Sequence, residues 1–423
     1  MMKECPSEGV CMPTGQTGLV WPSLEGRDVA RPSRLRGRVI SKRLQRCQGP
    51  EILYLHCITF TSPISIHLAI TMPGLFSIPA SLPPKAPKVV GPKQASPMRP
   101  TATIPQEIIE EARAVPAEGW NPERHVAPKT QIVQHLMKDI GLEGQGVSPI
   151  AVTDPFPLFT KEAILQIHRE IFSEQVLRDC RFKSDFNANL IRGMGHERAP
   201  FTYGAWWSPE ILARVSEAAG IELVPAFDYE VANVNISIND QNAVEVVTYG
   251  DMSSAVAWHY DSFPFVCVTM AADCTGMVGG ETAIMLPNGE ERRVRGPAMG
   301  TCVVMQGRYI QHQALKASGG RERISIVTAF RPKSPFVRDE TILTGSRVIS
   351  NIGELYPQYM EYRLANLEER FRRALQQEKR RQVERKAFDI AAMRAFLTEQ
   401  LEYIETSLNE VYVPYAGYKD LNQ

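Results

Sequence analysis

The sequence has no surplus of charge of either sign, since 47 Lys and Arg balance 47 Asp and Glu over 423 residues. A balanced chain exerts no overall pull on nucleic acid or on an anionic membrane, and neither is expected as a partner. Cysteine is sparse, and the eight present are scattered without a CxxC pair or a repeated spacing. That excludes a disulfide framework and fits a reducing, cytoplasmic compartment. A long unbroken apolar run is also missing: residues 52–70 approach the length a bilayer needs, but His56, Pro63 and His67 interrupt them, so no membrane span is expected. Histidine numbers only eight, and His56, His67, His125, His135, His168 and His196 have no partner at metal-ligand spacing.

The remaining two histidines stand in a pattern. His259-Tyr260-Asp261 is followed about fifty residues later by His312, and then by Arg323-Ile324-Ser325. Two neutral imidazoles and one carboxylate hold Fe(II) on one face of an octahedron and leave the opposite face open for a co-substrate and O2. On a strand, residues i and i+2 project to the same side, so His259 and Asp261 can reach one ion while Tyr260 points away. The run from Met299 to Gly307 reads as a strand and turn that delivers His312, being apolar, β-prone and closed by glycine. In the next strand Arg323 and Ser325 share one face, and Ile324, Ile326 and Phe330 the other. A guanidinium beside a hydroxyl suits a carboxylate. Arg321 has the same parity as Arg323 and competes for that role.

With these residues in place, the chain resembles the Fe(II)/2-oxoglutarate-dependent dioxygenase superfamily, in its small-molecule branch of plant and fungal type. The likeness covers about residues 225–335 and rests on the His-x-Asp pair, the distal histidine and the Arg-x-Ser that follows it. It implies a double-stranded β-helix, iron held by His259, Asp261 and His312, and the far carboxylate of 2-oxoglutarate held by Arg323 and Ser325. It also implies O2 as co-substrate, succinate and CO2 as co-products, and hydroxylation of a small molecule as the default outcome. In related halogenases a small residue replaces the carboxylate, so Asp261 argues for oxygen transfer. A ring-forming oxidase without 2-oxoglutarate, a peptide hydroxylase and a non-catalytic binding protein remain the alternatives.

The rest of the chain divides by composition. Residues 1–71 read as an unstructured extension, with Met72 as the natural start, and 72–105 as a proline-rich linker, extended or disordered rather than packed. Residues 106–221 read as helical support: helices over 106–114 and 129–140, one opened by Thr160 with Glu162 in its first turn, and one opened by Ser208-Pro209-Glu210. Between Arg198 and Trp207, the aromatics Phe201, Tyr203, Trp206 and Trp207 are candidates for a lid or a substrate wall, as well as for the core. Residues 222–335 read as antiparallel strands joined by short turns, a jelly-roll pattern, with Asn233 and Asn235 on the polar face of one strand. The fold class is therefore mainly β with flanking helices. Residues 336–423 read as long helices whose stripe of Tyr359, Leu364, Leu367, Phe371 and Leu375 packs on its own domain or meets a second copy in a homodimer.

Overall fold

The structure, a computed structural model, describes residues 84–100, 102–184, 187–238, 254–294, 298–318 and 320–414, all within a compact unit spanning 70–423. The extension read at 1–71 lies outside the described residues, as does Met72. Among the described residues no helix is long and apolar enough to cross a membrane.

The architecture is mainly antiparallel sheet with flanking helices. The strands that matter here are β1 (Gln134–Leu136), β2 (Ile150–Thr153), β3 (Leu190–Ile191), β4 (Asn233–Ile238), β5 (Ser254–His259), β6 (Phe265–Met270), β7 (Thr282–Met285), β8 (Glu291–Val294), β9 (Thr301–Met305), β10 (His312–Leu315) and β11 (Glu322–Pro332). One large sheet runs β1-β2-β9-β6-β11-β4-β3, and short edge pieces complete its ten strands. A smaller sheet runs β8-β7-β10-β5. The turn read at Pro287-Asn288-Gly289 joins β7 to β8, with Gly289 at φ 83°, a left-handed conformation that glycine adopts without strain.

β11 sits centrally and explains how the layers form. It pairs with β4 on one side and β6 on the other, so both of its edges are hydrogen-bonded. Ile324, Ile326 and Phe330 face a core built with helices, where they join Ile164, Ile167 and Trp206. Arg323, Ser325, Val327 and Ala329 face a cavity whose opposite wall comes from β5, β7 and β10 of the smaller sheet. The two sheets thus face each other across a polar-lined space.

Helices α1 (Gln106–Ala114), α2 (Lys161–Ile171) and α3 (Pro209–Ala219) flank the large sheet. Thr160 caps α2 by accepting from Ala163 N at 3.3 Å, and Ser208 caps α3 through Ile211 N at 3.4 Å. The helix expected over 129–140 is instead β1 followed by a 3-10 turn, Met137–Ile140. Pairing of β1 with β2 supplies the backbone partners that a helix would have supplied, so tertiary context overrides local pattern. Phe201, Tyr203 and Trp206 are not a substrate wall: they are buried in the helix-facing core, outside the cavity lining.

The described part of the proline-rich segment is not a free linker. It is extended and docked: Ala86 N donates to Glu340 at 3.0 Å, Gln94 donates to Val348 O at 2.8 Å, and Val89 is buried. Proline removes donors and fixes φ, but side chains and carbonyls still find partners on the folded surface.

The C-terminal helices are α4 (Ile352–Val383) and α5 (Ile390–Glu410). The expected stripe is split: Tyr359 is buried, whereas Leu364, Phe371 and Leu375 are exposed. The buried face carries Arg363, Asn366 and Arg370 instead. Arg363 is tolerated there because its guanidinium stacks over Tyr403 at 3.2 Å and lies 3.6 Å from Asp339.

Burial of His168 on α2 pushes its pKa down to about 4. The unfolded chain takes up this proton near pH 6.5 and the folded chain does not, so stability falls as pH drops from 6.5 toward 4, by roughly 3 kcal/mol. Melting curves between pH 7 and 4.5 should show His168→Gln losing less stability than the parent; parallel profiles would refute this origin.

Candidate metal centre

The site forms where β5 ends and β10 begins. His259 and His312 are directly paired across these two strands, and their ring centroids stand 4.3 Å apart. Asp261 lies just beyond β5, its N–H donating to Gly307 O at 2.8 Å. That bond ties the His-x-Asp segment to the turn after β9. The side-chain donor atoms of His259, Asp261 and His312 all lie within 4.8 Å of one another, a separation suited to three ligands of one ion.

Hydrogen bonding orients both imidazoles. His259 Nδ1 is 2.8 Å from Ala257 O, and His312 Nδ1 is 2.9 Å from Ile310 O. A carbonyl can only accept, so each Nδ1 carries the hydrogen and each Nε2 presents its lone pair in the neutral ring. The two Nε2 atoms converge on the carboxylate, at 3.5 Å from Asp261 Oδ1 and 3.4 Å from Oδ2. Asp261 Oδ2 is buried with no hydrogen-bond partner among the described residues. An orphaned buried carboxylate oxygen beside two lone pairs is costly by itself and fits a bound cation.

The protonation tendencies of His312 and Asp261 agree with that fit, and His259 leans the other way. Burial pushes His312 down to about 4, which keeps it neutral at pH 7. Burial also pulls His259 down, but the hydrogen bond and charge of Asp261 outweigh it and raise the imidazole above its usual value. For Asp261 burial works upward, yet His312, His259 and Arg308 together hold the carboxyl below its usual range.

The two arginines separate clearly. Arg321 is half-exposed and engaged, with Nη1 and Nη2 each 2.7 Å from Glu111 on α1 and Nε 2.6 Å from Glu322. Arg323 is buried in the cavity wall and donates to Ser325 Oγ at 3.2 Å and Gly280 O at 3.3 Å. Its Nε has no partner among the described residues, and burial lowers its pKa. A buried guanidinium whose hydrogen bonds end on uncharged acceptors, with the charge of Glu281 near it but no ion pair among the described residues, has capacity left for an anion.

No family model and no curated protein matches this sequence. Among solved structures, the chain is similar to an oxidoreductase of the 2OG-Fe(II) oxygenase family from Burkholderia pseudomallei, at 14% identity over 34% of this chain and 66% of that one, with a TM-score of 0.26. A non-heme alpha ketoglutarate dependent epimerase from nogalamycin biosynthesis aligns at 20% identity over 40% of this chain and 79% of that one, TM-score 0.28. A Pseudomonas putida prolyl-4-hydroxylase aligns at 16% identity over 34% and 72%, TM-score 0.22. Likeness at this level transfers no residue role.

The cavity contains residues that the sequence did not single out. Arg192, Glu230 and Ser346 line it, as do Val89, Val90 and Pro92 from the proline-rich segment. Gly307 had a legible signal, a glycine closing an apolar strand, but its closeness to Asp261 is visible only in the fold. A Cβ at Gly307 would lie 2.7 Å from Asp261 Cγ and 3.0 Å from its Cβ, so Gly307→Ala must turn the carboxylate away. Co(II) titration of Gly307→Ala should show metal affinity reduced about 10- to 100-fold with the circular dichroism unchanged; unaltered affinity would contradict this geometry.

Proposed function

We propose that this chain is an Fe(II)- and 2-oxoglutarate-dependent oxygenase that oxidises a small organic molecule. The carrying observation is convergence: His259, Asp261, His312 and Arg323, which has no ion pair among the described residues, all line one cavity. Two antiparallel sheets facing across that cavity suit the double-stranded β-helix that the motif resemblance implies.

In this reading His259 and His312 offer Nε2 and Asp261 a carboxylate oxygen to Fe(II), and the Nδ1 bonds to Ala257 O and Ile310 O hold both rings in register. Arg323, assisted by Ser325 Oγ, takes the far carboxylate of 2-oxoglutarate, the buried charge finding its partner there. Val266, Val268 and Val327 form an apolar wall between the sheets and keep water from the reacting centre. Iron with 2-oxoglutarate bound supplies the oxidising chemistry: O2 is reduced as 2-oxoglutarate becomes succinate and CO2, and the remaining oxygen atom hydroxylates the substrate.

The size of the cavity, about 230 Å³, favours a small molecule. A peptide hydroxylase would need an open cleft, whereas Val89, Val90 and Pro92 wall this cavity.

The full chain supplied with Fe(II), 2-oxoglutarate and O2 should form succinate, and His259→Ala should abolish it. Arg323→Ala should raise the KM for 2-oxoglutarate on the order of a hundredfold, and Arg321→Ala should leave it unchanged. The reverse behaviour of the two arginines would overturn the acid assignment. Absence of both metal binding and 2-oxoglutarate turnover would overturn the function.

A further inference from the structure

The cavity is lined by two buried arginines, and they are electrostatically unlike. Arg323 makes no ion pair among the described residues, its hydrogen bonds ending on Ser325 and Gly280 O. Arg192 is neutralised, with Nη2 at 2.5 Å from Glu230 Oε1 and both side chains buried. The cavity therefore offers one vacant anion position, and its other polar end is neutral.

At that neutral end stands Asn233 on β4. It pairs with Val327 of β11, whereas Arg323 pairs with Ser237. Four residues of strand separate the two registers, about 13 Å, which places Asn233 away from the acid-binding end. Asn233 is 8% exposed, and its Nδ2 donates to Glu230 Oε2 at 2.7 Å. Glu230 can only accept while it is paired with Arg192, so the amide orientation is settled: Nδ2 faces Glu230 and Oδ1 faces elsewhere. Oδ1 is buried and has no partner among the described residues. A buried amide oxygen held this way calls for a donor, and the lining strand supplies none.

We infer that Asn233 Oδ1 is a substrate-recognition atom and that it selects an uncharged group carrying an N–H or O–H, such as a primary amide or an alcohol, over a carboxylate. This rests on the oxygenase reading and names the class of molecule that would lie beside the metal. The Arg192–Glu230 pair acts through Asn233, fixing which amide atom meets the substrate. A carboxylate brings no hydrogen for Oδ1 to accept, and the only nearby cation among the described residues, Arg192, is already neutralised by Glu230.

The test uses the full chain loaded with Mn(II) and 2-oxoglutarate, whose own binding is measured first. Thermal shift and calorimetry then compare three trios, each a primary amide, its N,N-dimethyl amide and the matching carboxylate, built on methyl, cyclohexyl and phenyl groups. For at least one trio the primary amide should bind ten times more tightly than both of its counterparts. Asn233→Leu should erase that preference. Asn233→Asp should keep it, because two carboxyls at this distance share a proton and the new side chain still presents an acceptor. No preference in any trio, or its equal loss in Asn233→Leu and Asn233→Asp, overturns the inference. Failure of Mn(II) and 2-oxoglutarate to bind overturns the oxygenase reading and this inference with it.

Discussion

The candidate centre depends on one arrangement: a half-buried carboxylate, Asp261, faced by two imidazole Nε2 atoms at 3.4–3.5 Å. Each part of it is imposed from elsewhere. The cross-strand pairing of His259 with His312 sets the ring spacing, and two backbone carbonyls set the tautomers. Gly307, lacking a Cβ, leaves the carboxylate its room. Because His312 and Asp261 Oδ2 are buried, charges and lone pairs there interact strongly, and the arrangement is costly unless it is completed.

Burial also divides the arginines into roles. Arg321 and Arg323 are two positions apart, yet one is spent on Glu111 at the surface and the other is kept dry with an unpartnered Nε. Arg192 is dry too, but Glu230 cancels its charge. A cavity with one cation that has no ion pair among the described residues and one neutral polar end is asymmetric, and that asymmetry orients whatever binds between the two sheets.

Much of this was legible in advance because it is local. Period-two alternation marks β11 and separates Arg323 and Ser325 from Ile324 and Ile326. The i, i+2 rule joins His259 to Asp261, and the caps Thr160 and Ser208 announce their helices. The misreadings were non-local. Residues 129–140 carry a helical pattern, yet a partner strand claims their backbone. The proline-rich segment looks unable to pack, yet it donates to and accepts from residues some 250 positions away, as Ala86 N does to Glu340. In α4 the leucines look like the buried face, but aromatic rings and Asp339 make the arginine face the better one to bury.

The sequence by itself determined the chemical inventory: which residues can bind a metal, which can bind an acid, and which strand faces carry them. Those follow from side-chain chemistry and from the fixed periodicity of a strand. Only the tertiary structure decided that Arg323 and not Arg321 lines the cavity, that Asp261 is left with an orphaned oxygen, and that Arg192, Glu230 and Asn233 meet at its other end. Each of these depends on segments far apart in the chain coming within a few ångströms, where desolvation sets what a charge must find as its partner.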